Sequence, residues 1–66
     1  MNWDQIQGNW KMMQGKAKIQ WGKLSDDDLA KIDGHRDELV GRIQKVYGVS
    51  REEAEAQVDR FTHTLQ

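Results

Sequence analysis

The stretch Trp21-Gly22-Lys23-Leu24-Ser25-Asp26-Asp27-Asp28 decides the fold, because it holds the end of one helix and the start of the next. A glycine after a run of helix formers is a natural stop, since it takes the left-handed conformation without a Cβ penalty. A serine followed by aspartates is a natural start: the hydroxyl accepts from an orphan amide and the carboxylates suit the positive helix end. The same punctuation returns at Tyr47-Gly48-Val49-Ser50-Arg51-Glu52-Glu53, where Ser50 and Glu53 have the spacing of a capping box. With no proline, few β-branched residues and abundant Gln, Lys, Glu, Ala and Leu, these stop and start signals predict an all-α chain.

Upstream of Gly22, the residues Trp3, Ile6, Trp10, Met13, Ala17, Trp21 and Leu24 recur at steps of three, four and seven. At the helical rotation they fall within an arc of roughly 80°, one apolar stripe on one helix. Asn2 is placed to cap its start with Gln5 at the third helical position, and Gly8-Asn9 is its weak point. Downstream, Ser25 opens a short second helix carrying Leu29 and Ile32. A third begins around Asp33-Gly34 and runs to Tyr47 with Leu39, Val40, Ile43, Val46 and Tyr47 on one side. Gly48 ends it in a left-handed turn, and Ser50 opens a fourth with Ala54, Val58, Phe61 and Leu65 on one face. The expectation is a single four-helix domain over residues 1–66.

All six glycines fall in two sets spaced by seven, Gly8, Gly15, Gly22 and Gly34, Gly41, Gly48, the second set displaced by 26 residues from the first. Lys16 and Arg42, and Trp21 and Tyr47, follow the same shift, and Ser25 and Ser50 follow it with one residue deleted. One reading is an internal duplication, with halves at 8–33 and 34–58, that builds two packed helical hairpins sharing one core. The other is that two heptad-patterned helices with ordinary caps resemble each other by chance. Gly8, Gly15, Gly34 and Gly41 are expected to project away from the apolar stripes, where an interior glycine costs roughly 1 kcal/mol relative to alanine.

Size and charge narrow the classes of function. At 66 residues the core supplies only roughly 3–5 kcal/mol of stability. No cysteine is present, so no disulfide or thiolate site staples the fold and a cytoplasmic home is expected. The N-terminus shows no basic-then-apolar leader and no apolar run is long enough to span a bilayer, which argues against secretion and membrane insertion. The net charge of −1 is unevenly spread. Residues 1–24 carry Lys11, Lys16, Lys18 and Lys23 against Asp4, a net +3, whereas residues 25–66 carry six basic and ten acidic residues, a net −4.

Gly8-Asn9-Trp10-Lys11, Gly15-Lys16, the run from Trp21 to Asp28, Gly34-His35-Arg36-Asp37, Leu39-Val40-Gly41-Arg42-Ile43-Gln44 and Tyr47-Gly48 together closely resemble the CsbD-like general stress-response proteins. The resemblance covers essentially the whole chain. It implies a small bacterial cytoplasmic protein made under stress or on entry to stationary phase, folded as a helical bundle, with no catalytic residue to carry over. The tail, residues 62–66, matches least, so the resemblance leaves open whether it is ordered or disordered.

The residues that invite chemistry have simpler roles. Asp26 and Asp28 could begin a calcium loop, but the register then puts Ala30 at a ligand position, Lys31 at the glycine position and Asp37 at the final glutamate position. His35 and His63 lie far apart with no cysteine and no helical His pair, so no metal and no cofactor is expected. Ser25 and Ser50 read as caps rather than nucleophiles, and the carboxylates lie on charged helix faces. The chain is therefore expected to be non-enzymatic, without a small-molecule substrate, and to act by binding or protection, through a protein partner or self-association. The alternative is contact with a membrane surface or a nucleic acid through the basic first helix. Trp10 and Trp21 are expected in the core, and Trp3, near a terminus that frays, is expected to be the contact, beside Lys11, Lys16, Lys18 and Lys23.

Overall fold

The structure is a computed structural model that describes residues 2–65. Five helices follow one another among these residues: α1 (Trp3–Gly8), α2 (Trp10–Gln20), α3 (Asp26–Ile32), α4 (Arg36–Tyr47) and α5 (Arg51–Thr64), with no strand. The all-helical expectation holds, but the count of four does not. The first predicted helix does start at Asn2, whose side chain accepts from the Gln5 N–H while the Gln5 side chain accepts from the Asn2 N–H. It then breaks at Asn9, where the backbone leaves helical geometry at φ −113 and ψ 24. Asn9 bridges the two pieces, donating to the carbonyls of Gln5 and Ile6 and accepting from Met12 and Met13. Both Asn9 and the adjacent Gly8 are poor interior helix residues, and the break falls between them and Trp10.

The start signals are realised closely. Ser25 and Asp28 form a reciprocal capping box at α3. At α5, Ser50 accepts from the Glu53 N–H. The stops are less uniform. Gly48 ends α4 at φ 66, in the left-handed region expected of it. Gly22 has no such φ; α2 is already closed by Trp21, whose backbone leaves helical geometry at φ −126 and ψ 75. Gly34 is not inside a helix either. It follows Asp33 in a turn where both residues have positive φ, 50 and 79, and α4 begins only after His35. Its reason for being glycine is contact: a Cβ there would lie 2.6 Å from the Cα of Gln7. The turn between α3 and α4 thus seats α1.

Helix α2 packs against α3, α3 against α4 and α4 against α5. The predicted stripes supply one shared core of Ile6, Trp10, Met13, Ala17, Trp21, Leu24, Leu29, Ile32, Leu39, Val40, Ile43, Ala54, Val58 and Phe61, with Trp3, Val46, Tyr47, Val49 and Leu65 packed on its edge. Aromatic side chains join distant segments. The Trp10 indole donates to the Leu29 carbonyl at 2.7 Å, the Trp21 indole donates to Gln57 at 2.9 Å, and the Trp21 and Phe61 rings lie 5.0 Å apart. These polar handles let a large apolar ring be buried without an orphaned N–H. Of the tail, residues 62–64 complete α5 and Leu65 lies against the core. Gln66 lies outside the described residues.

Candidate functional site

The core accounts for nearly every large apolar side chain, which makes the exceptions informative. Met12 is 65% exposed and Ile19 is 87% exposed, and both lie on α2. They are one heptad apart, so they share a face, with Gly15 between them and open space above it. The face opposes Trp10, Met13 and Ala17, which point to the core. The result is a short apolar ridge running along the solvent side of the helix.

Lysines flank this ridge on both sides. Lys11 and Lys16 are exposed and carry no ion pair among the described residues. Lys18 turns to the end of its own helix and donates to the Leu24 carbonyl. Lys23 is exposed, its ammonium 5.5 Å from the Tyr47 ring centroid, while its main-chain N–H donates to the Tyr47 hydroxyl at 3.1 Å. Every ion pair among the described residues lies within α3, α4 and α5 or between them, as with Arg42 and Asp28 at 3.2 Å and Arg36 and Asp59 at 3.1 Å. The charge asymmetry of the sequence therefore becomes a physical one, with the ion pairs gathered in a net-acidic half and a basic α2 outside them.

Lys11 and Lys16 are both exposed on α2, on opposite flanks of the ridge, and Lys18 and Lys23 have partly internal duties. Trp3 is half-buried and packs on the edge of the core rather than standing free. Sequence reasoning missed Met12 and Ile19, because the apolar stripe already explained the helix and neither residue belongs to it. Their signal was a spacing of seven in phase with the glycines, Met12 four residues after Gly8 and Ile19 four after Gly15.

The other polar candidates resolve into structure. Ser25 and Ser50 are engaged as caps. The Ser25 main-chain N–H holds the Asp28 carboxyl below the ordinary aspartate range, with the Ser25 hydroxyl and Arg42 acting the same way and partial burial opposing them. A shallow open depression on α4, lined by Asp37, Glu38, Gly41, Arg42 and Lys45, mixes both signs of charge.

The chain is similar to known proteins over most of its length. The CsbD-like family model matches residues 4–56, the span from α1 into α5. The chain is 64% identical over 61 residues to the UPF0337 protein ECA0631 of Pectobacterium atrosepticum, covering 92% of this chain and 88% of that one. It is 56% identical to the UPF0337 protein YjbJ of Escherichia coli O6:H1, with the same coverage. To the UPF0337 protein pc0632 of Protochlamydia amoebophila it is 49% identical, covering 92% of each. On the matching family model and these relatives, the chain belongs to the CsbD-like family.

Proposed function

We propose that this protein is a non-enzymatic, cytoplasmic stress-response protein that acts by binding, and that the outward face of α2 is the surface it binds with. One observation carries the reading: Met12 and Ile19 stand exposed beside Lys11 and Lys16, which carry no ion pair among the described residues, whereas the ion pairs that do form lie within and between α3, α4 and α5. Isolated exposed apolar residues are ordinary, but an aligned pair within a basic border is what a recognition surface requires. The stress role rests on the family resemblance. No catalytic group, metal or cofactor enters the proposal: the serines act as caps, and Asp27, Asp28, Asp37, Glu53, Glu55 and Asp59 are engaged in a cap or in ion pairs.

The helices themselves suit a duplicated origin. A shift of 26 carries Trp10, the first residue of α2, onto Arg36, the first of α4, and a shift of 25 carries Asp26 of α3 onto Arg51 of α5. In this reading α2 with α3, and α4 with α5, are the two hairpins. The same 26-residue shift replaces Met12 with Glu38 and Ile19 with Lys45, so only the first half presents an apolar ridge.

The alternative reading, contact of the basic first helix with a membrane surface or a nucleic acid, draws on the same face, with Met12 and Ile19 replacing Trp3 as the apolar contact. The general proposal is tested by complementation in cells that lack the protein and survive a stress poorly. Wild type is expected to restore survival. Chains carrying Met12→Ser with Ile19→Ser, or Lys11→Gln with Lys16→Gln, are expected not to, although their circular dichroism is unchanged. Full rescue by both variants would show that α2's outward face is not the working surface.

A further inference from the structure

We infer that the partner of the α2 face is an anionic phospholipid surface, on which the protein lies with Met12 and Ile19 turned into the lipid and lysines at the headgroups. This rests on the proposal that α2 is the binding face, and it names the chemistry of what that face meets.

The two halves of the surface specify the two halves of the partner. Met12 and Ile19, 65% and 87% exposed, offer an aliphatic thioether and an aliphatic branch with no polar atom to satisfy. Gly15 between them adds no bulk, and nothing stands within 4 Å of where its Cβ would be, so the ridge is unobstructed along its length. On its two flanks, Lys11 and Lys16 are exposed and carry no ion pair among the described residues. An apolar strip set between flexible cations is the pattern that favours the boundary of an anionic bilayer, where long lysine stems reach phosphate as aliphatic groups enter the acyl region.

Other partners fit less of the surface. A second copy docking α2 against α2 would face lysines with lysines, since the only acid within residues 1–24 is Asp4, and like charge opposes that pairing. Single-stranded nucleic acid takes its sequence-tolerant affinity from exposed aromatic rings. Here Trp10 and Trp21 are 3% and 1% exposed, and both indole N–H groups are already engaged internally. No helix among the described residues is long and apolar enough to cross a membrane, so the contact is one of lying on the surface. Because the face is already helical and its opposite side is locked in the core, binding does not require the chain to refold.

The test is flotation of the full chain with vesicles of phosphatidylcholine alone and with equimolar phosphatidylglycerol. Partitioning into the anionic vesicles is expected to exceed that into the neutral ones by about tenfold or more and to fall with added salt. Lys11→Gln with Lys16→Gln should remove about tenfold of the anionic preference, and Met12→Ser with Ile19→Ser should lower binding to anionic vesicles by about tenfold. All four positions are exposed, so circular dichroism should confirm that the variants fold. Equal partitioning into both vesicles, no partitioning, binding unaffected by the serine pair, or tighter binding to single-stranded DNA at the same salt would overturn the assignment. If vesicles fail while cellular rescue still depends on the face, the lipid partner is wrong and the binding face stands. If rescue is also independent of it, both are wrong.

Discussion

Trp10 completes the end of a helix that it does not belong to: its indole N–H donates to the Leu29 carbonyl of α3 at 2.7 Å. That carbonyl also accepts from the Asp33 N–H, at a stretched 3.4 Å, because Asp33 has already turned into the left-handed region at φ 50. Most of the hydrogen bonding at this buried acceptor therefore comes from α2. The contact fixes both the angle between the two helices and the end of the shorter one.

Trp10→Phe should accordingly be the more damaging of two similar changes. It removes ring volume from a buried site and leaves the Leu29 carbonyl with a weak partner, an expected loss of about 2–4 kcal/mol. Trp21→Phe loses comparable volume, but its acceptor is the half-buried Gln57 side chain, which can turn to water. Urea denaturation followed by circular dichroism should show the larger loss for Trp10→Phe. Equal losses would mean that volume alone decides.

Gly15 and Gly41 sit inside helices with no atom within 4 Å of where an alanine methyl would stand, so alanine meets no obstacle at either site. Each Gly→Ala change should add about 0.5–1 kcal/mol, and the pair should raise the melting temperature by roughly 5–10 °C in a domain of this size. An unchanged melting temperature would show that glycine at these two positions costs the helices nothing.

Gly34→Ala should act in the opposite direction. The position needs φ 79, and its new Cβ would press on the Gln7 backbone at 2.6 Å, which no side-chain rotation relieves. The strained backbone alone costs about 1–2 kcal/mol. Relief requires α1 to lift away, so amide exchange should quicken over residues 3–8 more than over α4 and α5. Uniform acceleration along the chain would argue that the turn does not seat α1.

Asp28 sets an acid limit. Its carboxyl is held below the ordinary aspartate range, first by the Ser25 main-chain N–H and also by the Ser25 hydroxyl and Arg42. A depressed folded-state pKa gives stability that is fully present above the unfolded value and is lost as pH falls through the folded one. The wild type should thus lose stability below about pH 4. In Asp28→Asn this component should be absent, giving a lower plateau near neutrality and a shallower acid limb in the melting temperature.

Much of this fold was legible because helix periodicity and capping are local. The residues Ile6, Trp10, Met13 and Ala17 lie in the core as their helical spacing required, Trp21 and Leu24 reach it from beyond the end of α2, and Asn2, Ser25 and Ser50 cap the helices they precede. What was not legible depends on contacts between segments. Gly34 reads as another outward helix glycine until Gln7 is placed over it, and Gly22 reads as a left-handed stop until Trp21 ends the helix first. The candidate site was half visible. Lysine positions can be counted along a helix, but the exposure of Met12 and Ile19 follows from which side the core takes, and Trp3 was drawn inward by apolar neighbours that the sequence does not show adjacent.

The seat of α1 on the Gly34 turn also orders events in time. Six residues are too few to remain helical alone, so α1 depends on the surface it docks against. That surface includes a residue from the middle of the chain. During synthesis Gln7 emerges from the ribosome 27 residues ahead of Gly34, so α1 must wait for its seat, while α2 can close on α3 and α4 on α5 through neighbouring segments. The segment made earlier is then fixed later, and the time a nascent chain spends with Ile6 uncovered is set by how quickly the turn at Asp33 and Gly34 is delivered to it.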